Sequence, residues 1–300
     1  MTVPRQLTVL IAGGGGYIGH NLARSLAPDH DVVITLRPGG SVSTSLPGVM
    51  AIEQDLLDEP GVEKLVRSVA PNCVIDVAGT KNLGFCEEQP DEAMRINCRA
   101  PECLAQSAHA VGSGFVFVSS DYVFDCLAGG FREEDATSPM TEYGRTKLCA
   151  EQAVMAAHPE AAVVRTSAVY GRGGGQFYTW LCQTLARGGV VDAFDDSIFT
   201  PTLIDDLAQA LGRIALEGHC GIFHVAGSTA ITRYGMACAV AEAFDYPAGL
   251  VIKGKRQDAQ KLIATNSSLD ASRSAEQLDL VFHDLKTGLG MLKESGATDE

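Results

Sequence analysis

The chain has 300 residues, 46% of them apolar and 20% charged, with 23 basic against 37 acidic side chains and a formal net charge of −14. At roughly 150 residues per domain this is about two domains of ordinary globular composition, which excludes a disordered chain, a collagen and a coiled coil. So acidic a surface repels a phosphate backbone and an anionic bilayer, which argues against nucleic acid and membrane as partners.

No apolar run approaches the roughly 18 residues of a membrane span. Arg5 precedes the first apolar run, but glycines follow it rather than a small-residue cleavage site. The chain therefore reads as one without a secretory signal, and a cytoplasmic location is expected. Nine cysteines and seven histidines are scattered without CxxC or zinc spacing. The cysteines read as small core residues in a reducing compartment, and no metal site is expected.

In chain order, residues 7–12 (LTVLIA) form a buried strand, then a glycine-rich turn, then a helix through 21–27. Strands follow at 31–36 and 51–56, a helix around 60–70, a fourth strand at 71–79 and one long helix spanning Glu92–His109. A fifth strand at 114–120, a helix from Tyr143 to Ala157 and a sixth strand at 161–167 complete the series. Val/Ile-rich strands each followed by a helix predict a doubly wound parallel sheet, an α/β fold covered on both faces. Beyond Gly171 the pattern loosens into a helix near 179–189, a second apolar stretch, one more strand at 219–227 and a polar, frayed end.

The first strand runs directly into Gly13-Gly14-Gly15-Gly16-Tyr17-Ile18-Gly19 and a helix. Gly13 permits the tight turn, Gly16 lets backbone approach a pyrophosphate, and Gly19 lets helix and strand pack closely, while the helix N-terminus offers free N–H donors. At the end of the second strand a dinucleotide site carries an acid for the ribose 2′-OH or an arginine for a 2′-phosphate. Here Thr35-Leu36-Arg37 ends the strand without an acid, so NADP(H) is preferred, with Arg37 on the extra phosphate, and NAD(H) is possible. Asp55-Leu56, ending the third strand, lies where an acid accepts from the adenine amino group.

Tyr143-Gly-Arg-Thr-Lys147 puts a phenol and an ammonium on one helical face. The ammonium favours phenolate and lowers the phenol's pKa, fitting it for proton transfer near neutrality. Ser119-Ser120, ending the fifth strand, offer a hydroxyl for a substrate carbonyl.

Three segments carry a resemblance: Val118–Asp125 (VSSDYVFD), Tyr143–Lys147 with Glu151, and Arg165–Gly171 (RTSAVYG). With Gly13–Gly19, Ala78-Gly79-Thr80, Cys86–Glu88, Asn97, Phe199–Leu207, Gly221–Val225 and Ser268–Asp270, the chain resembles the extended short-chain dehydrogenase/reductases. More narrowly it is similar to their dTDP-4-dehydrorhamnose reductase branch. The resemblance implies a Rossmann-type dinucleotide domain at 1–171 plus about 200–226, and a smaller mixed substrate lobe at about 172–199 and 227–300. It implies a catalytic set Ser120, Tyr143 and Lys147, with Tyr143 as general acid. It further implies a cofactor lining of Gly13, Gly16, Tyr17, Ile18, Gly19, Ala78, Gly79, Thr80 and Asn97 alongside Tyr143 and Lys147, and a substrate contact through Ser120, Asp121 and Tyr122. The partner is then a nucleotide-linked 4-keto-6-deoxy sugar, and a homodimer is one possible assembly.

The chain departs from the branch at Ala168, where a Trp is usual, at Cys126, where a Gly closes the turn, and before Ser268, where an Arg-Pro is missing and Lys255, Arg256 and Lys261 are the nearest bases. A dehydratase is disfavoured because Asp121-Tyr122 stands where those enzymes carry Asp-Glu. A nucleotide-sugar epimerase that retains NAD, and a non-catalytic cofactor-binding subunit like the β subunit of methionine adenosyltransferase, remain as alternatives.

Overall fold

The computed structural model describes residues 6–41, 46–256 and 262–296; Arg5, Lys261 and the last four residues of the polar end lie outside them. The chain divides into two compact units. One comprises Met1–Ser120, Thr141–Arg165 and Ala208–Phe223; the other comprises Asp121–Met140, Thr166–Leu207 and His224–Glu300.

In the first unit β1 (Thr8–Ala12) leads through the glycine turn into α1 (Tyr17–Leu26), then β2 (Asp31–Leu36), β3 (Val49–Glu53), α2 (Glu59–Val69) and β4 (Cys73–Asp76). Helices α3 (Leu83–Glu88), α4 (Pro90–Met94) and α5 (Ala100–Ala110) precede β5 (Gly114–Ser120), α6 (Glu142–Ala157) and β6 (Ala162–Thr166). The central sheet has seven strands, ordered Gly221–Val225, β6, β5, β4, β1, β2, β3. The pairings from β5 through β3 are parallel, with Leu10 of β1 opposite Val33 on one side and Val74 on the other. This is the doubly wound α/β sheet expected from the strand–helix alternation. Strand order reverses at β1 and β4, so ligands of such sheets enter beyond the carboxyl ends of these strands.

Composition explains the central position of β1: Val9, Leu10, Ile11 and Ala12 have no exposed surface, and burying each large aliphatic side chain contributes roughly 1.5–3 kcal/mol. Leu10, Val33, Val74, Phe115 and Phe117 pack with Val62, Val66, Leu104, Ala108 and Val154 from the helices. Helix α2 shows how local signals set the ends: Asp58 caps the Gly61 N–H at 3.3 Å, and the helix stops at Ala70 in the left-handed region, φ 45°.

Two sequence expectations are corrected. The third strand ends at Glu53 rather than residue 56, because Asp55 folds back to accept the Leu57 N–H at 3.0 Å. The single helix expected over Glu92–His109 is interrupted by a π-helical turn at Arg95–Arg99. Pro101 has no N–H, and its ring would press on the carbonyl of Asn97 in a regular helix, so the backbone widens there.

In the second unit the strands are short. Val169–Tyr170 pairs with Thr202–Leu203, Ile198–Phe199 with Ile231–Thr232, and Val191–Phe194 with Val251–Gly254. Tyr170, Leu181, Phe199, Leu203, Met236, Val240 and Leu289 form its core. No helix among the described residues is long and apolar enough to cross a membrane.

Candidate active site

The glycine turn at the end of β1 is held by Thr35: the N–H of Gly13 donates to its hydroxyl at 3.0 Å, and the N–H of Gly14 to its carbonyl at 3.1 Å. Gly13 has φ +83°, and a Cβ there would stand 2.8 Å from Ala78 Cα. A Cβ on Gly19 would stand 2.5 Å from the Gly13 carbonyl oxygen, so this glycine is what allows α1 to sit against the turn. Gly14, to which the sequence reading gave no role, is equally constrained, since its Cβ would meet Ile34 at 2.3 Å. Gly16 is the N-cap of α1 and is exposed, no side chain caps the helix, and its first turn holds no acidic residue. Tyr17 and Ile18 are half-buried in that first turn. The arrangement leaves backbone donors and a partial positive charge directed at the mouth of the turn.

From Gly13 the contacts pass to the loop after β4. Asp76 ends β4 with no exposed surface; the Ala78 N–H donates to its Oδ1 at 2.9 Å, and its Oδ2 has no partner. Burial raises the Asp76 carboxyl from 3.8 to about 6, against the lowering pull of the Ala78 N–H and of Lys147. Half-buried Ala78 and Thr80 flank Gly79, whose φ is +136°. Asn97, in the π-helical turn, holds this loop through both ends of its side-chain amide. Its Oδ1 accepts from the Thr80 N–H at 2.8 Å, and its Nδ2 donates to Thr80 O and to Thr146 Oγ1, each at 3.0 Å. Thr146 lies on α6, so Asn97 ties the loop to the helix that carries Tyr143 and Lys147.

Helix α6 begins at a Thr141 cap, whose Oγ1 accepts from the Gly144 N–H at 3.1 Å. Tyr143 is half-buried in the first turn, and Lys147 is buried one turn later, 5% exposed. Lys147 Nζ donates to Val118 O at 2.7 Å and lies 4.0 Å from the Phe117 ring centre. Burial lowers the Lys147 pKa from 10.5 to about 8, with Asp76 and then Glu151 pulling it back up.

The two serines at the end of β5 divide their work. Ser119 Oγ donates to Glu151 Oε1 at 2.5 Å, and Arg165 reaches both oxygens of that carboxylate, at 3.0 and 2.8 Å. All three residues are buried. Neighbouring strand residues face opposite ways, so Ser120 lies on the face away from this ion pair. Glu151 and Arg165 thus fix α6 between β5 and β6, a role beyond the motif match that first drew attention to them.

Arg37 is exposed just past β2, and the neighbouring Gly39 N–H donates to Glu53 Oε2 at 3.4 Å, an acid not singled out from sequence. Asp55 is exposed and occupied with the Leu57 N–H, while Leu56 packs against the sheet core. Asp121 and Tyr122 belong to the second unit. Asp121 is buried and accepts from Ser167 Oγ at 2.8 Å; Tyr122 OH accepts from the Ala264 N–H at 3.3 Å, and burial raises its phenol to about 12. In that unit the Arg233 guanidinium lies over the rings of Phe177 and Phe199, 4.9 and 5.2 Å from their centres. Cys126 occupies the left-handed region at φ 57°, which accounts for a glycine being usual in that turn. Among the described residues no group of three or more His, Cys, Asp or Glu is placed to hold a metal ion.

Residues 7–294 match the RmlD substrate binding domain family. The chain is 34% identical over 245 residues to a dTDP-4-dehydrorhamnose reductase of Mycobacterium tuberculosis, covering 79% of this chain and 76% of that one. It is 33% identical over 211 residues to the methionine adenosyltransferase 2 subunit beta of Rattus norvegicus, covering 64% of this chain and 60% of that one. The crystal structure of a dTDP-4-dehydrorhamnose reductase from Bacillus anthracis in complex with NADP shares the fold, with a TM-score of 0.86, 21% identity, and coverage of 97% of this chain and all of that one. With its glycine turn, its Tyr143–Lys147 helix and a match over nearly its whole length, the chain belongs to the RmlD substrate-binding-domain family, the dTDP-4-dehydrorhamnose reductase-like branch of the extended short-chain dehydrogenase/reductases.

Proposed function

We propose that this protein reduces the keto group of a nucleotide-linked 4-keto-6-deoxy sugar, with NADPH as the preferred reductant and Tyr143 as the general acid. The observation that carries this reading is Lys147, buried one helical turn from Tyr143 with its pKa lowered to about 8, on a helix tied through Asn97 to the loop that packs on Gly13. The reductase from Mycobacterium tuberculosis supports the sugar class, and the NADP bound to the Bacillus anthracis protein supports the cofactor.

The residues present fit a dinucleotide: a side chain at Gly13 would fill the turn, and the uncapped start of α1 offers backbone donors. Gly13–Gly19 would hold its diphosphate, Arg37 the 2′-phosphate, Asp55-Leu56 the adenine, and Ala78–Thr80 with Lys147 the nicotinamide side. When bound, the cofactor supplies the hydride. Ser120 orients the carbonyl oxygen by hydrogen bonding. Tyr143 donates its phenolic proton to that oxygen as negative charge develops on it. Lys147 then stabilises the phenolate left behind, and its ammonium is the more effective for being withdrawn from water.

Tyr143→Phe tests the assignment. It keeps NADPH binding, measured by fluorescence titration, while the turnover of a 4-keto sugar nucleotide falls by about 10²–10⁴-fold. Turnover within threefold of wild type would refute it. The likeness to the methionine adenosyltransferase β subunit favours a second reading, a cofactor-binding partner protein. Tight NADPH binding with no oxidation across a panel of keto sugars would favour that role, and NAD retained through purification would favour an epimerase.

A further inference from the structure

A second reactive pair lies behind the site in the first unit. Cys98 follows Asn97 in the π-helical turn, and Cys149 is two residues beyond Lys147 on α6. The Cys98 thiol donates to Cys149 Sγ at 2.7 Å. Cys98 is buried, 2% exposed, whereas Cys149 is half-buried, so a small reagent meets Cys149 first.

We propose that Cys98 and Cys149 form a reversible thiol–disulfide modification site that takes its oxidising equivalents from a small-molecule disulfide. Cys149 thiolate attacks one sulfur of the reagent, forming a mixed disulfide and releasing one thiolate. Cys98 then gives up its proton and attacks the Cys149 sulfur, forming the Cys98–Cys149 bond and releasing the second reagent thiolate. Two protein thiols are oxidised and one disulfide is reduced to two thiols. This order follows from access and from the Cys98 thiol, which burial and then its hydrogen bond to Cys149 push up to about 12. A buried thiol of that kind is a poor first nucleophile, but it is well placed to resolve a mixed disulfide on its neighbour. The bond would pin the π-helical turn to α6 beside the Asn97–Thr146 hydrogen bond, closing a loop of about 50 residues. The thiol chemistry needs neither sugar nor dinucleotide, so it stands or falls separately from the reduction proposed above.

The test uses full-length protein, reduced, freed of reductant, incubated with glutathione disulfide near neutral pH, quenched with iodoacetamide and cut with trypsin. Cys98 falls in peptide Ile96–Arg99 and Cys149 in peptide Leu148–Arg165, so neither peptide carries another cysteine. The expected result is these two peptides joined, lighter than their sum by two hydrogen atoms, and separated by dithiothreitol. In Cys98→Ser, glutathione should remain trapped on Cys149. The proposal is overturned by separately alkylated peptides under conditions that fully modify exposed Cys220, by Cys149 joined to a different cysteine, or by an unmodified Cys149 in the Cys98→Ser protein.

Discussion

Asp76→Asn isolates a carboxylate that the site buries without a full set of partners. Asp76 has no exposed surface, one hydrogen bond to Oδ1 and none to Oδ2, and burial holds its pKa at about 6 rather than 3.8. Below about pH 3 the group is protonated in both the folded and the unfolded chain and is neutral in stability. Between pH 4 and 6 the folded state keeps a proton that the unfolded chain has released, so stability is lost as pH rises through this window. The shift spans about two pH units at 1.36 kcal/mol each, or roughly 3 kcal/mol in full. Asn at this position cannot titrate, and every other carboxylate is shared by the two proteins. Relative to Asp76→Asn, the wild type therefore loses about 2–2.5 kcal/mol of this between pH 4 and pH 7. Urea midpoints for both proteins at pH 4, 5, 6 and 7 measure the difference. Stability curves that run parallel across those four points would refute the reasoning.

Arg37→Ala should raise the KM for NADPH about tenfold and leave that for NADH unchanged, because on the proposed function it removes a charge-assisted contact that only a 2′-phosphate would make; equal effects on both cofactors would sink the assignment. Glu151→Gln should cost about 3–5 kcal/mol in thermal or urea unfolding, since it removes the carboxylate charge from a fully buried ion pair with Arg165; a loss under 1 kcal/mol would contradict the structural role given to the pair. Gly16→Asp places a favoured N-cap residue at φ −81°, so α1 should hold or gain a few tenths of a kcal/mol while dinucleotide affinity falls at least about tenfold. Retained affinity in that variant would show that the phosphates do not sit at this turn.

The doubly wound sheet was legible because its strands are short Val/Ile runs bounded by glycines and separated by helical segments, a pattern that buried parallel strands require. The glycine turn and the Tyr143–Lys147 pair were legible because each depends only on local spacing. Three features were not, for a physical reason each time. The π-helical turn follows from Pro101 acting on a carbonyl four residues back, which a 3.6-residue period does not reveal. Asp76 reads as the tail of an apolar strand, and only its position at the carboxyl end of β4, where ligands enter such sheets, marks it. The commitment of Ser119 to Glu151 depends on which face of β5 packs on α6, whereas the sequence shows two adjacent hydroxyls of equal standing; a buried Arg165 in a strand was the available sign that a carboxylate must lie opposite. The second unit was read least well, because several of its strands are two residues long and carry no periodicity.

On the proposed function, a chain with net charge −14 would have to hold a phosphorylated cofactor by setting a local attraction against a global repulsion. Distance decides the contest. Exposed carboxylates more than about 8–10 Å away are screened at physiological salt, whereas half a positive charge at a helix start, some 4 Å from a phosphate at an effective dielectric near 20, contributes about 2 kcal/mol. Helices α2, α4, α5 and α6 each open with an acidic residue in the first turn, and α1 alone among these five has neither an acid there nor a side-chain cap. A carboxylate at the start of α1 would satisfy the same N–H donors and strengthen the helix, at the expense of the phosphates. On the proposed function, the bare, uncapped start of α1 is the cost in helix stability that would let an acidic protein bind an anion.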